Sequence, residues 1–195
     1  MTFGAVADNC KCPNCGHSFY ASHIRSAQVS PTLPAETVIR FVNAMTSDEP
    51  EIAKVVRISI EEPEAFYRKF GNRFKWETHF DVNPIEVAIA ILRDSNFVGT
   101  LDWRASPNEV SSEFKKVCVK KGFSNLAVDG MPLLADKTAS ECLNIIALNL
   151  ASRNLVLFQI AMPSDEFNFG IVESPDFESI SDIETEDFTV RHEFR

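Results

Sequence analysis

The chain has 195 residues, 45% of them hydrophobic and 24% charged, and a formal net charge of −9. That length allows one domain with an appended piece and a real core, and the composition is that of an ordinary soluble globular protein. A pI near 5.0 disfavours a nucleic-acid partner, because phosphate contacts demand clustered Lys and Arg, and no apolar run approaches the ~20 residues needed to cross a bilayer.

The opening "MTFGAVADNCK" has no basic region followed by an apolar stretch, so it does not read as a signal peptide. With no such signal, five cysteines suit a reducing cytoplasm better than a disulfide framework. The expectation is a cytoplasmic protein.

Three of those cysteines fall in "CKCPNCGHSFYASH", residues 10 to 23, together with two of the four histidines. Cys12 and Cys15 form C-P-N-C-G, the turn of a zinc knuckle. Two intervening residues let both sulfurs face one ion, and Gly16 lets backbone N–H groups turn toward the thiolates. A structural tetrahedral Zn²⁺ needs two more ligands, for which Cys10, His17 and His23 are the local candidates. His23 is better placed than His17 to return across the site, which gives the set Cys10, Cys12, Cys15 and His23. A second C-x-x-C pair is missing, so the site is half a zinc ribbon, closed locally or by a partner chain. The bland alternative is a cluster of free thiols. A catalytic zinc would need an open position beside a carboxylate base, and Asp8 is the only acid nearby.

Residues 24 to 34, "IRSAQVSPTLP", read as a linker. The expected division is a Cys/His segment with its linker over 1–30 and an α+β domain over 31–195. A helix follows with Val38, Phe41, Val42 and Met45 on one face. Ser47 or Asp48 then offers a cap for a second helix beginning at Pro50 and Glu51. The segment "EEPEAFYRKFGN" reads as a further amphipathic helix ended by Gly71. "RFKWETHFDV" is a strand or an irregular connection.

Asn83 caps a helix with Pro84 in its first turn and Ile85, Ala88, Ile89 and Leu92 inward. "FVGTLDWRA" is a short strand. Ser106, Pro107 and Glu109 form a capping box for a helix closed by Gly122. The next helix turns Leu143, Ile146, Ala147 and Leu150 inward, and the isolated Cys118 and Cys142 fall in these two helical regions. Two strands, Leu155 to Ala161 and Phe167 to Val172, are joined by a turn at "MPSDE". The tail carries Glu173, Asp176, Glu178, Asp182, Glu184, Glu186 and Asp187, which read as a solvated, loosely ordered segment. Phe177, Ile180, Ile183 and Phe188 nevertheless point to packing against the body. The fold class is α+β, with helices packed on a small, mostly antiparallel sheet and an N-terminal zinc-knuckle appendage.

No nucleotide-binding glycine motif and no Ser/His/Asp signature occurs. His79 and His192 read as structural. Glu109 is explained by its cap, and Asp102 can bind backbone. Lys115, Lys116, Lys120 and Lys121 read as a solvated basic face.

"GTLDWRASPNEV", "ECLNIIALNLASRNLVLFQI" and "SDEFNFGIV" together resemble an uncharacterised bacterial family of unknown function, over roughly residues 84 to 173. The shared motifs fall on Leu101, Asp102, Trp103, Leu143, Asn144, Ser164, Asp165, Phe169 and Gly170. The resemblance implies an α+β fold with Trp103 buried, and it implies no reaction. Asn144 is suited to bond a neighbouring backbone group, and Gly170 to permit a bulge or close packing. Asp102 and Asp165 are the acids in these motifs with a conceivable site role.

The leading functional expectation is a small acidic protein-binding protein, such as an immunity protein that neutralises a partner toxin. The alternative is a zinc-containing regulator contacting nucleic acid or protein through its knuckle. A third reading, an enzyme, requires a deep pocket gathering Asp102, His79 or Asp165.

Overall fold

The computed structural model describes residues 9–11, 18–20, 33–47, 49–74, 77–79, 82–124, 126, 136–185 and 188–194. The chain divides into two units, residues 1–32 and 33–195. In the first, β1 (Asn9–Lys11) pairs antiparallel with β2 (Ser18–Tyr20), Cys10 opposite Phe19.

The second unit runs α1 (Ala35–Thr46), α2 (Pro50–Glu61), α3 (Pro63–Phe74), α4 (Pro84–Asp94), β3 (Val98–Asp102), α5 (Pro107–Lys120), α6 (Ala139–Ala151), β4 (Leu155–Ala161), β5 (Glu166–Glu173), α7 (Ser174–Glu178) and β6 (Thr189–Arg191). Strands β3 to β6 form one sheet in the order β3-β5-β4-β6, with every pairing antiparallel. The α+β class read from the sequence is the one observed.

Alternation along the strands sends successive side chains to opposite faces, and both faces are buried here. Phe158, Ile160 and Val172 point into one core with α1, α2 and α4. Leu155, Leu157, Phe167, Phe169 and Ile171 point into a second core with α5 and α6. The sheet is therefore the middle of three layers, which is why β5 is buried along most of its length.

Two glycines make close approaches possible. A Cβ on Gly170 would meet Met45 Cε at 2.6 Å and Phe158 Cζ at 2.8 Å, the close packing expected there. A Cβ on Gly99 would meet Phe169 Cζ at 2.2 Å, since Gly99 and Phe169 are cross-strand partners.

The cap of α4 is as read: Asn83 accepts from the Ile85 N–H. Ser106 and Glu109 form the expected box on α5, and Thr138 with Glu141 forms a second on α6. The bond from the Ser106 backbone N–H, then that from its hydroxyl, holds the Glu109 carboxyl below its ordinary value; Thr138 does the same for Glu141. Depressed folded-state values mean stability that is present above the ordinary carboxylate range and lost as pH falls through the folded values. Melting curves of wild type should therefore fall more steeply below about pH 4.5 than those of a Glu109→Gln, Glu141→Gln double variant, which keeps the box without titrating. Parallel curves for the two would contradict this.

Two local expectations are corrected, and a third falls partly outside the described residues. Glu49, not Ser47, precedes α2, while Ser47 follows α1 with φ 58° and Asp48 lies outside the described residues. Gly71 does not end α3; the helix continues to Phe74, and the buried glycine makes room for the Tyr67 ring, whose Cδ2 lies 2.7 Å from where a Cβ would be. Part of "RFKWETHFDV" lies outside the described residues; residues 77–79 form no strand, which leaves the irregular connection of the two readings there.

The tail is ordered rather than loose where it is described. Phe177, Ile180, Ile183 and Phe188 are buried, and β6 pairs with β4. Its acids Glu173, Glu178, Asp182 and Glu184 face outward, while Glu186 and Asp187 lie outside the described residues. Beyond β6, Phe194 is buried and strapped to α6: Ser140 Oγ and Asn144 Nδ2 donate to its carbonyl at 2.7 and 3.2 Å, and its N–H donates to Asn144 Oδ1 at 3.2 Å. Asn144 thus binds backbone, as its motif position suggests.

Candidate protein-interaction surface

The strand-to-helix turn after β3 carries the L-D-W motif and is held from both sides. On the strand side, Asp102 Oδ1 accepts from the Arg104 N–H at 2.7 Å, and the Ala105 N–H donates to the Asp102 carbonyl at 2.9 Å. On the helix side, the Ser106–Glu109 box fixes the start of α5. An aspartate at this point closes an Asx-type turn, so the backbone between strand and helix is fixed by its own side chains.

Trp103 is presented on this turn. It is 52% exposed, not buried as the resemblance implies. The reason is geometric: Leu101 takes the inward position at the end of β3 and enters the α5–α6 core, and the next residues turn outward. The Arg104 guanidinium stacks 4.5 Å from the Trp103 ring centre. Such a stack is worth about 0.5–1 kcal/mol at an exposed site, enough to bias the indole's orientation before anything binds.

Beside the turn lies an open hollow of about 550 Å³, bounded by Thr100 and Asp102, by Arg104, and by Glu109, Glu113 and Lys116 of α5. It gathers Asp102 but neither His79 nor Asp165. Its carboxylates are already engaged: Asp102 and Glu109 in the turn and cap, and Glu113 with Lys116 at 2.6 Å. The cap holds the Glu109 carboxyl below its ordinary value. Asp165 is exposed in the β4–β5 turn, and His192 is exposed against the Phe177 ring at 4.1 Å.

The basic face expected on α5 is broken up. Lys115 and Lys116 are exposed, but Lys120 pairs with Glu49 at 2.5 Å. Lys121 donates to the Met45 carbonyl at 2.9 Å, capping the end of α1, and burial lowers its pKa. These lysines tie α5 to the segment between α1 and α2.

Among the described residues no group of His, Cys, Asp and Glu is arranged to hold a metal. Cys10 lies on β1, and the six residues joining β1 to β2 include Cys12, Cys15 and His17. Cys12, Cys15, His17 and His23 lie outside the described residues. Cys118 and Cys142 are buried free thiols; burial pushes Cys118 up to about 12 and raises Cys142, so neither is a ready thiolate.

No helix among the described residues is long and apolar enough to cross a membrane. No curated protein and no solved structure matches the chain. A family model described as "Domain of unknown function (DUF6630)" matches residues 37–192, taking in α1 to α3 as well as the segment in which the L-D-W, L-N and S-D motifs lie. The chain belongs to that family.

Proposed function

We propose that this is a protein-binding protein whose contact surface is anchored by Trp103 and Arg104. The observation that carries the reading is the half-exposed Trp103 on a turn fixed by Asp102 and by the capping box. Trp and Arg are the residues enriched among interface anchors, and a side chain held in place before binding loses less entropy on association. The net charge of −9 suits a basic protein partner, and neutralisation of a toxin by an acidic immunity protein is the role that fits small size, acidity and the absence of a catalytic motif.

The test is co-expression of the tagged chain with the products of neighbouring genes. Trp103→Ala should weaken the captured complex by about 30-fold or more while leaving the melting temperature unchanged. A complex indifferent to that substitution, or no stable complex at all, would refute the reading.

A structural Zn²⁺ held by Cys10, Cys12, Cys15 and His23 accompanies this proposal. It is supported by the antiparallel β1–β2 pairing, whose connection carries the C-x-x-C pair of a knuckle. Bound there, the ion would cross-link the two strands, and a regulatory contact through the knuckle is the alternative function. Protein purified without chelator should contain one zinc per chain, lost in a Cys12→Ser, Cys15→Ser variant; metal-free protein would remove this part.

A further inference from the structure

A helix that covers a core with one side normally turns charged residues outward on the other. α5 does so, with Glu113, Lys115 and Lys116 outside its buried stripe. α6 does not. Its stripe of Cys142, Leu143, Ile146 and Leu150 is buried in the core shared with β4 and β5, yet no charged residue occurs between Glu141 and Arg153. The outer side carries Leu148, 77% exposed. One turn to either side of it on the helix surface stand the half-buried Ile145 and the exposed Ala151. The asparagines of this helix are already used within the chain: Asn144 holds the Phe194 backbone, and Asn149 Nδ2 donates to the Ile145 carbonyl at 2.8 Å.

This outer side continues into a second open hollow, of about 550 Å³, between α6, β4 and the segment that follows β6. Leu148 and Ala151 line it from the helix, Leu155 and Leu157 from the strand, and Phe194 from the third side. The titratable groups in its lining are one histidine, His192, and one acid, Glu193. An exposed apolar side chain therefore stands at the edge of a mostly apolar hollow on one and the same surface.

We infer that two copies of this chain meet here about a two-fold axis, with Leu148 of each copy seated in the hollow of the other. Shape and charge both name a second copy as the occupant. A two-fold contact uses one patch twice, so that patch must supply the projecting side chain and its receptacle together, as this one does. Each copy carries a net charge of −9, so two copies repel unless they meet where charge is lacking. The outer side of α6 is such a place. A basic partner gains most from a face rich in carboxylates, and this lining has Glu193 alone. Trp103 is not part of the lining, so the contact is separate from the surface assigned to the protein partner.

Sedimentation equilibrium of the full chain between about 1 and 200 µM, the span of weak homodimers, should show a monomer–dimer equilibrium. Leu148→Glu sets a like charge on each copy against the other and should raise the dissociation constant at least about tenfold. Ala151→Arg should do the same by filling the helix side of the hollow. Both side chains are exposed, so melting temperatures of the dilute variants should stay within about 2 °C of wild type. Hydrogen exchange of the unaltered chain at the two ends of that concentration range locates the contact without any variant, and amides within residues 144–157 should slow as the chain is concentrated. A chain that stays monomeric to the top of the range would overturn the inference. So would a dimer that keeps its affinity in either variant, or protection confined to other segments.

Discussion

Replacing Phe194 with alanine is expected to lower stability by about 3–5 kcal/mol, the range for removing a buried phenylalanine, and with it the melting temperature by on the order of 10 °C. Phe194 is only 2% exposed and meets the Phe167 ring edge-on at 6.3 Å, inside the core built with α5 and α6. Its backbone has both polar groups matched by Asn144, with Ser140 adding a second bond to the carbonyl. Asn144→Ala should cost about 1–3 kcal/mol by stranding those backbone groups. Because the ring's burial and the backbone clasp hold the same segment, the double variant should lose less than the sum of the two single losses. Urea titration of the four proteins checks this; strict additivity would show that ring and clasp act independently.

The second large effect concerns Gly99. Alanine there should cost up to about 3 kcal/mol, the upper part of the overpacking range, although the substitution adds a single methyl group. That methyl would lie 2.2, 2.5 and 2.8 Å from three atoms of the Phe169 ring, a side chain with no exposure and no room to retreat. A Phe169→Leu change in the same chain should recover part of the loss, since the shorter side chain vacates the contact. At Gly170 one of the obstructing groups is the terminal methyl of Met45, which has rotatable bonds to yield, so Gly170→Ala should cost less than Gly99→Ala. Thermal melts of the variants decide the order, and equal losses at the two glycines would refute the packing argument.

Helix faces and caps were legible because they are written in local spacing. The apolar positions of α1, α4 and α6, the cap Asn83 and the box of Ser106 and Glu109 need only the residues within a turn or two of themselves. What failed depended on distant partners. Gly71 looks like a stop signal until the Tyr67 ring is seen to occupy the space its side chain would have taken. Lys121 looks like part of a solvated face until the carbonyl of Met45, remote in sequence, is found beside it. Trp103 is the instructive case for function. A tryptophan beside an apolar strand is expected inside, but Leu101 already fills the inward place at the end of β3. The candidate surface was visible in the sequence as a motif, and only the fold shows that the motif's largest side chain faces out.

The placement of the sheet between two helical layers bears on how the chain acquires its structure during synthesis. Helices α1 to α6 are all complete by residue 151, yet the strands they share, β4 and β5, occupy residues 155 to 173. Until these emerge, each helical layer lacks the surface that its apolar face is shaped to cover, and both must wait for the same hairpin. Such long-range pairing slows folding relative to local helix contacts. A nascent chain halted before β5 would therefore hold two unfinished cores open at once, and their closure on release would be one coupled event.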